Sequence, residues 1–230
     1  MLRRSFDREL QRLQEEVLVL GGMVERALVD AVEILRQRDM DGARRLIAAD
    51  REINEKRFAI EAETLVLIST QQPMAGDVRT LAAVLEIITE LERMGDYAKG
   101  IARINLMIGE EPLIKPLVDI PRMAEKVRDM LHQALKAFVE RDVNLARAIP
   151  ARDDEIDALY NQVYRELLTL IMADPRKIDQ ATHLLWAAHN LERTADRVIN
   201  ICERVVFTVT GEMVEMDVGD DDLSGISGVN

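Results

Sequence analysis

Apolar residues recur at alternating intervals of three and four along most of the chain, which predicts amphipathic α-helices rather than strands. One long predicted helix in each half carries an especially regular apolar stripe. Its members are Ala43, Leu46, Asp50, Ile53, Arg57, Ile60, Thr64 and Leu67 in the first half, and Ala146, Ile149, Asp153, Ile156, Tyr160, Val163, Leu167 and Leu170 in the second. Asp50 and Asp153 stand where an apolar residue is expected. Because burying a bare carboxylate costs several kcal/mol, each must be protonated, paired with a base or bound to a metal.

The chain contains an internal repeat. The hexapeptide LERMGD at 91–96 returns as LERTAD at 191–196, and DREIN at 50–54 returns as DDEID at 153–157. The offset falls from 103 to 100 along the chain, and the difference lies in one loop near Pro73, where a change of length costs little. The repeat predicts an all-α fold of two tandem three-helix bundles. The six helices are expected near 4–38, 40–70, 75–108, 119–140, 142–172 and 175–209.

Capping and turn-forming residues predict the divisions of the chain. Asp39 and Asp142 are the expected N-caps of the second helix in each half, and Pro175 is the expected first-turn residue of the last helix. We expect a first repeat over 1–110, a linker over 111–116 and a second repeat over 117–210. Residues 211–230 are rich in Asp and Gly, and we expect them to form a disordered acidic tail.

The charge balance excludes one class of partner. The chain has 42 acidic and 30 basic residues and a net charge of −12, so we expect no binding to nucleic acid, which requires clustered cations. No stretch reaches the roughly 18 apolar residues of a membrane span, and the first residues lack the apolar core of a signal peptide. The single cysteine excludes an intramolecular disulfide. These features favour a cytoplasmic protein, and we expect any contact with a membrane to go through a partner or a surface face of the protein.

Pairs of acids four residues apart lie on the third predicted helix of each half. At about 100° per residue, Glu92 and Glu192 fall roughly 80° from the centre of the apolar stripe, and Asp96 and Asp196 roughly 120°. All four therefore lie at the edge of the apolar stripe of their helix, where Asp50 or Asp153 on the neighbouring helix can approach. Each half is predicted to present a patch of carboxylates from two helices, which repel one another unless a cation lies between them.

Oxygen-only ligands limit the metals that such a patch suits. Carboxylates favour the hard cations magnesium, calcium, manganese and iron, and zinc is less expected because its structural sites favour Cys and His. Asn54 stands where Asp157 stands in the repeat, so the second patch is predicted to be the more negative. His189 lies one turn before Glu192, but we expect all three histidines to be ordinary residues, since the counterpart of His189 is Thr89. The alternative to a metal is ion pairing with nearby arginines, namely Arg57, Arg93 and Arg193.

Three segments resemble the PhoU family of phosphate-signalling regulators. They read QPMAGDVR at 72–79, LERMGDYAKGIA at 91–102 and NLERTADRVINICER at 190–204, and the resemblance extends over about residues 4–216. It implies two three-helix bundles side by side, commonly in a homodimer, with multinuclear iron or another metal cluster at paired E(D)xxxD motifs. The implied ligands are Asp50, Asn54, Glu92 and Asp96 in the first half, and Asp153, Asp157, Glu192 and Asp196 in the second.

The resemblance also implies a function. It implies a cytoplasmic negative regulator of phosphate uptake and of the phosphate regulon, which couples the phosphate-specific ABC transporter to a sensor histidine kinase. The residues themselves supply no nucleophile with a base and an orienting group, and no glycine-rich loop suited to phosphate, so we predict no catalytic residue. A carboxylate-ligated metal enzyme and a metal-free helical scaffold remain the alternatives.

Overall fold

A computed structural model describes residues 2–216, with side chains from Ser5 onward. Over that range the chain is all-helical, as predicted, and contains no strand. The helices are α1 (Leu2–Gln37), α2 (Met40–Gln71), α3 (Ala75–Ile108), α4 (Asp119–Glu140), α5 (Val143–Ala148), α6 (Asp153–Ala173) and α7 (Ile178–Thr210). Two 3₁₀ turns, Pro150–Arg152 and Pro175–Lys177, precede α6 and α7. Most of the predicted acidic tail, residues 217–230, lies outside the described range.

Two helices begin at predicted capping residues. At the start of α2, the Asp39 carboxylate accepts a hydrogen bond from the backbone N of Gly42 at 2.8 Å. At the start of α5, the Asp142 carboxylate accepts from the backbone N of Asn144 and of Leu145, each at 3.0 Å. These carboxylates satisfy amide donors that the first turn of a helix leaves without intrahelical partners. Both N-cap predictions are confirmed.

The helix predicted over 142–172 is broken in the structure. Its first part is the short α5, a 3₁₀ turn follows at Pro150–Arg152, and α6 begins at Asp153. Pro150 explains the break, because proline lacks an amide hydrogen and its ring crowds the carbonyl of the preceding turn. The helix predicted over 175–209 likewise opens with a 3₁₀ turn at Pro175, and α7 begins only at Ile178. The prediction of one continuous second helix in this half is therefore wrong.

The two halves join through their first and third long helices. Glu86 Oε2 on α3 lies 2.9 Å from Arg204 Nη1 on α7, and Glu90 Oε2 lies 3.5 Å from Arg197 Nη1. Because the residue numbers rise along α3 where they fall along α7, the two helices pack side by side in antiparallel directions. Helix α1 packs on α4, while α2 packs on α1 and α3, and α6 packs on α4 and α7. Buried apolar residues of both halves form one continuous core. The second long helices, α2 and α6, therefore lie at the outer edges of their own bundles.

The segment predicted as a linker is packed onto the second half. The backbone N of Ile114 donates to Gln180 Oε1 at 2.5 Å, and Gln180 Nε2 donates to the Pro112 carbonyl at 3.1 Å. After α7, residues 211–216 are non-helical, and Val214 and Met216 pack against the core. Among the described helices, none combines the length and the apolar character that crossing a membrane requires.

Candidate metal centres

The predicted site residues lie along two seams, each between the second and third long helices of one half. The first cluster consists of Asp50 and Asn54 on α2 with Glu92 and Asp96 on α3, and the second cluster consists of Asp153 and Asp157 on α6 with Glu192 and Asp196 on α7. A spacing of four residues places the two members from one helix on the same side of that helix. The seams are equivalent in the repeat, but their charges are arranged differently.

The first cluster is closed by a lysine. Asp50 is 6% exposed, and its Oδ2 accepts hydrogen bonds from Lys99 Nζ at 2.6 Å and from Asn54 Nδ2 at 3.3 Å. Lys99 Nζ also donates to Asp96 Oδ1 at 3.3 Å. The ammonium group therefore lies between a carboxylate from α2 and a carboxylate from α3. This is the place that a cation bridging the two helices would take.

Charges on both helices perturb the groups of the first cluster. Burial raises the pKa of the Glu92 carboxyl, and the charge of Asp96 raises it further, while Arg57 opposes the rise. The hydrogen bond to Asp50 raises the pKa of Lys99, so the ammonium stays charged at neutral pH. The protein therefore supplies three positive side chains of its own, Lys99, Arg57 and Arg93, around the three carboxylates of this cluster.

The second cluster lacks a lysine at the equivalent position, where Ile199 stands and is 4% exposed. Glu192 Oε2 is buried and accepts no hydrogen bond from any described residue, although His189 Nδ1 lies 3.0 Å away. Burial raises the pKa of the Glu192 carboxyl, and the charges of Asp196 and then Asp157 raise it further. A bound cation would reduce both the repulsion among these carboxylates and the cost of burying Glu192.

The remaining members lie at the edges of the second cluster. Arg193 Nε lies 3.7 Å from Asp196 Oδ2, and these two side chains are 42% and 41% exposed. Asp153 is half-buried and is the first residue of α6, directly after the 3₁₀ turn at Pro150–Arg152. The structure thus brings Glu192 within the electrostatic influence of Asp157 and Asp196, and it places Asp153 one turn before Asp157.

Sequence reasoning did not predict the roles of Lys99 and His189. Lys99 lies three residues after Asp96, a spacing that places both side chains on one face of α3, and this was the available signal. His189 was expected to be incidental, yet it lies beside Glu192, and its ring centroid is 6.1 Å from that of Tyr160. Of the arginines weighed as ion-pair partners, Arg193 lies 3.7 Å from a cluster acid, Asp196, whereas Arg57 and Arg93 lie 3.4 Å from Glu61 and Glu90 and act on Glu92 only through their charge.

The donor atoms of the second cluster fit a hard cation better than those of the first. At the first cluster a metal would have to displace Lys99 from Asp50, and Asn54 offers a neutral amide oxygen. The second cluster offers carboxylate oxygens, one of which, on Glu192, is buried without a hydrogen-bond donor from the described residues. Within residues 2–216, no three His, Cys, Asp or Glu side chains converge as they would around an ion. Binding would therefore require exposed carboxylates such as Asp196 to turn inward, and the metal ligands stay a prediction.

Known proteins match this chain in both of its repeats. The sequence matches the family model of the PhoU domain over residues 17–104 and again over 120–205. A relative from Caulobacter vibrioides, named "Phosphate-specific transport system accessory protein PhoU homolog", is 39% identical over 210 residues, which are 91% of this chain and 91% of that protein. A relative of the same name from Clostridium acetobutylicum is 34% identical over 218 residues, which are 94% of this chain and 100% of that protein.

A solved structure has the same fold. The crystal structure of the phosphate transport system regulatory protein PhoU from Streptococcus pneumoniae aligns with a TM-score of 0.84 at 33% sequence identity. The alignment covers 91% of this chain and 99% of that one. Both repeats match the family model, and the relatives match along nearly their full length. The chain therefore belongs to the PhoU family.

Proposed function

We propose that this chain is a regulatory accessory protein of phosphate transport, which represses phosphate uptake and the phosphate regulon when phosphate is plentiful. It acts in the cytoplasm as a homodimer, couples a phosphate-specific ABC transporter to a sensor histidine kinase, and reaches the membrane through those partners. The observation that carries the proposal is the extent of the match. Relatives named as accessory proteins of phosphate-specific transport are 34% and 39% identical over at least 91% of both chains.

The chemistry of the described residues supports an adaptor rather than an enzyme. Cys202 is buried, and burial raises its pKa to about 12, so its thiol is a poor nucleophile at neutral pH. Both clusters lie on seams where some of the carboxylates stay exposed, whereas a metal enzyme usually encloses its reacting groups away from water. The proposal therefore assigns the clusters to binding, and it assigns regulation to surfaces that partners contact.

A bound metal at the second cluster is part of the proposal. Iron is the first expectation, manganese, magnesium and calcium are the alternatives, and the ligands are Asp153, Asp157, Glu192 and Asp196. The raised pKa of Glu192 and its buried oxygen support this assignment, because burial and the charges of Asp196 and Asp157 disfavour the charged carboxylate more than His189 and Arg193 compensate for it. A divalent cation would supply that compensation and change the charge of the surface that a partner meets.

A phosphate-responsive reporter tests the regulatory role. In a strain that lacks the gene, the wild-type gene should restore repression in phosphate-rich medium, and an empty vector should leave the reporter active. Failure of the wild-type gene at a normal level of protein would contradict the proposal. Sedimentation analysis of the purified protein tests the homodimer, which should have twice the mass of one chain.

Metal analysis tests the second cluster. Protein purified without chelator is compared with Glu192→Ala/Asp196→Ala and with Glu125→Ala/Asp129→Ala, a control that removes an exposed Glu-x-x-x-Asp pair on α4. Wild type and control should contain metal and gain thermal stability when Mn²⁺ is added, because binding to the folded state alone stabilises it. The Glu192 variant should lose both properties. An equal metal response in all three proteins would exclude the second cluster as the site.

A further inference from the structure

We propose that Lys99 is a built-in cation that closes the first cluster to metal, so that this repeat is neutralised by its own ammonium group while the second repeat takes a divalent cation. The inference rests on the proposed function for its second half only. For the first cluster it stands on the contacts of Lys99 with Asp50 and Asp96.

The ammonium group of Lys99 lies between carboxylates of two different helices. Lys99 Nζ lies 2.6 Å from Asp50 Oδ2 and 3.3 Å from Asp96 Oδ1, so one cation already bridges α2 and α3. A hydrogen bond between two charged groups at this distance is among the stronger ones in proteins. The Asp50 side chain is 7% exposed and that of Lys99 is 21% exposed, so little water weakens the pair. A metal could reach Asp50 only by displacing this lysine.

The differences between the two repeats agree with this division. The first cluster has three carboxylates, a neutral amide on Asn54 and the ammonium of Lys99. The second cluster has four carboxylates, with Asp157 in place of Asn54 and the apolar Ile199 in place of Lys99. In the first cluster a partly buried ammonium group bridges the two helices. In the second cluster the nearby positive group, Arg193, lies 3.7 Å from Asp196 at a largely exposed edge, and no lysine bridges α6 and α7 at the position of Ile199.

The geometry also separates this role from that of an ordinary surface ion pair. Exposed pairs such as Arg51 with Glu55, whose side chains are 83% and 59% exposed, contribute little because water screens them. Asp50 Oδ1 is buried and accepts no hydrogen bond from the described residues, so Asp50 depends on the donors at its other oxygen, the charged Lys99 at 2.6 Å and the neutral amide of Asn54 at 3.3 Å. Removing the lysine leaves a buried carboxylate that needs another cation.

The experiment replaces the charge of Lys99 and measures metal. Lys99→Met keeps a long apolar side chain without the ammonium, Lys99→Arg keeps the charge, and Lys136→Met is a control at an exposed lysine on α4. Each protein is stripped with chelator, equilibrated with Mn²⁺, and analysed for Mn²⁺ per chain and for Tm with and without Mn²⁺. Lys99→Met should have a lower Tm in chelator, by about 5–10 °C, and Mn²⁺ should restore it.

Stoichiometry then identifies the cluster that binds. Lys99→Met should hold more Mn²⁺ per chain than wild type, and adding Glu92→Ala/Asp96→Ala to it should remove the excess. Lys99→Arg and Lys136→Met should match wild type. In wild type, Glu92→Ala/Asp96→Ala should leave the Mn²⁺ content unchanged.

Three results would each contradict either the inference about Lys99 or the proposed metal at the second cluster. If Lys99→Met binds no more Mn²⁺ than wild type, Lys99 does not close the first cluster, and the inference is wrong. If Glu92→Ala/Asp96→Ala lowers the Mn²⁺ content of wild type, the first cluster already holds metal, and the inference is wrong while the proposed metal at the second cluster stands. If wild type binds no Mn²⁺ but Lys99→Met does, the inference holds for the first cluster and the proposed metal at the second cluster fails.

Discussion

Two adjacent glycines on α1 lead us to expect opposite effects from the same substitution. A methyl group at Gly21 would lie 2.1 Å from Leu135 Cδ1 on α4, whereas a methyl group at Gly22 would lie 3.7 Å from Arg26 Nη1. Leu135 is 3% exposed, so it has little space into which to turn. The pair of variants therefore tests how closely α1 and α4 approach where the two halves of the protein join.

The expected magnitudes follow from helix propensity and core packing. Alanine in place of glycine inside a helix stabilises by about 0.5–1 kcal/mol when nothing opposes the methyl group, and we expect this gain for Gly22→Ala. An extra methyl group in a packed core costs about 1–3 kcal/mol, so Gly21→Ala should lose roughly 0–2.5 kcal/mol against wild type. The two variants should differ by about 1–3 kcal/mol, which is the cost of the overpacking alone.

Equilibrium unfolding in urea measures both variants against wild type, and equal slopes would show that the unfolded states are alike. Leu135→Val shortens the side chain that the new methyl group meets, so Gly21→Ala should cost less in a Leu135→Val background than in wild type. If Gly21→Ala stabilises the protein as much as Gly22→Ala does, the close approach of α1 to α4 at this point is refuted.

Four further predictions concern a helix cap, the thiol and the second cluster. Asp39→Ala should destabilise the protein by about 1 kcal/mol in urea, because α2 loses the carboxylate that binds Gly42 N. Burial raises the pKa of Cys202 from 9.0 to about 12, so at pH 8 its alkylation by iodoacetamide should be about a thousandfold slower in folded than in unfolded protein. The same shift stabilises the fold below pH 9.0 and is lost as the pH rises towards 12, so wild type should lose more stability than Cys202→Ala over that range. In chelator, Glu192→Ala/Asp196→Ala should raise the free energy of unfolding by a few tenths of a kcal/mol, because it removes repulsion between like charges. A lower free energy of unfolding would show that positive groups of the protein already neutralise these acids.

The helices could be predicted because their signals are local. The spacing of apolar residues sets each long helix, and Asp39 and Asp142 start α2 and α5 by binding amides two or three residues away. Pro150 was also a local signal, since proline disrupts a helix interior whatever surrounds it, but the predicted helix over 142–172 did not take it into account. The regular stripe on both sides of Pro150 continues through the turn, and this continuity concealed the break.

The clusters were less predictable because their contacts cross between helices. The seam position of Asp50 and its burial follow from periodicity on α2. Its partner could not be predicted in the same way, because a lysine side chain is long and flexible and can turn towards several neighbours. Only the packing of α2 on α3 fixes that Lys99 Nζ contacts Asp50 as well as Asp96. Likewise, a turn preceding α6 determines where Asp153 lies, and side-chain periodicity does not.

The hydrogen bonds of Gln180 determine how the two repeats can move. Its amide group binds Ile114 N and the Pro112 carbonyl, so the segment between the repeats is fastened to α7 on both sides of Leu113, and Leu113 packs on the core. Together with the continuous core, these bonds oppose independent swinging of one repeat against the other, because such a motion would break packed contacts of both. Two proteins bound to different repeats would then be held at a constant separation and angle. A change at one repeat would reach the other through small shifts of whole helices.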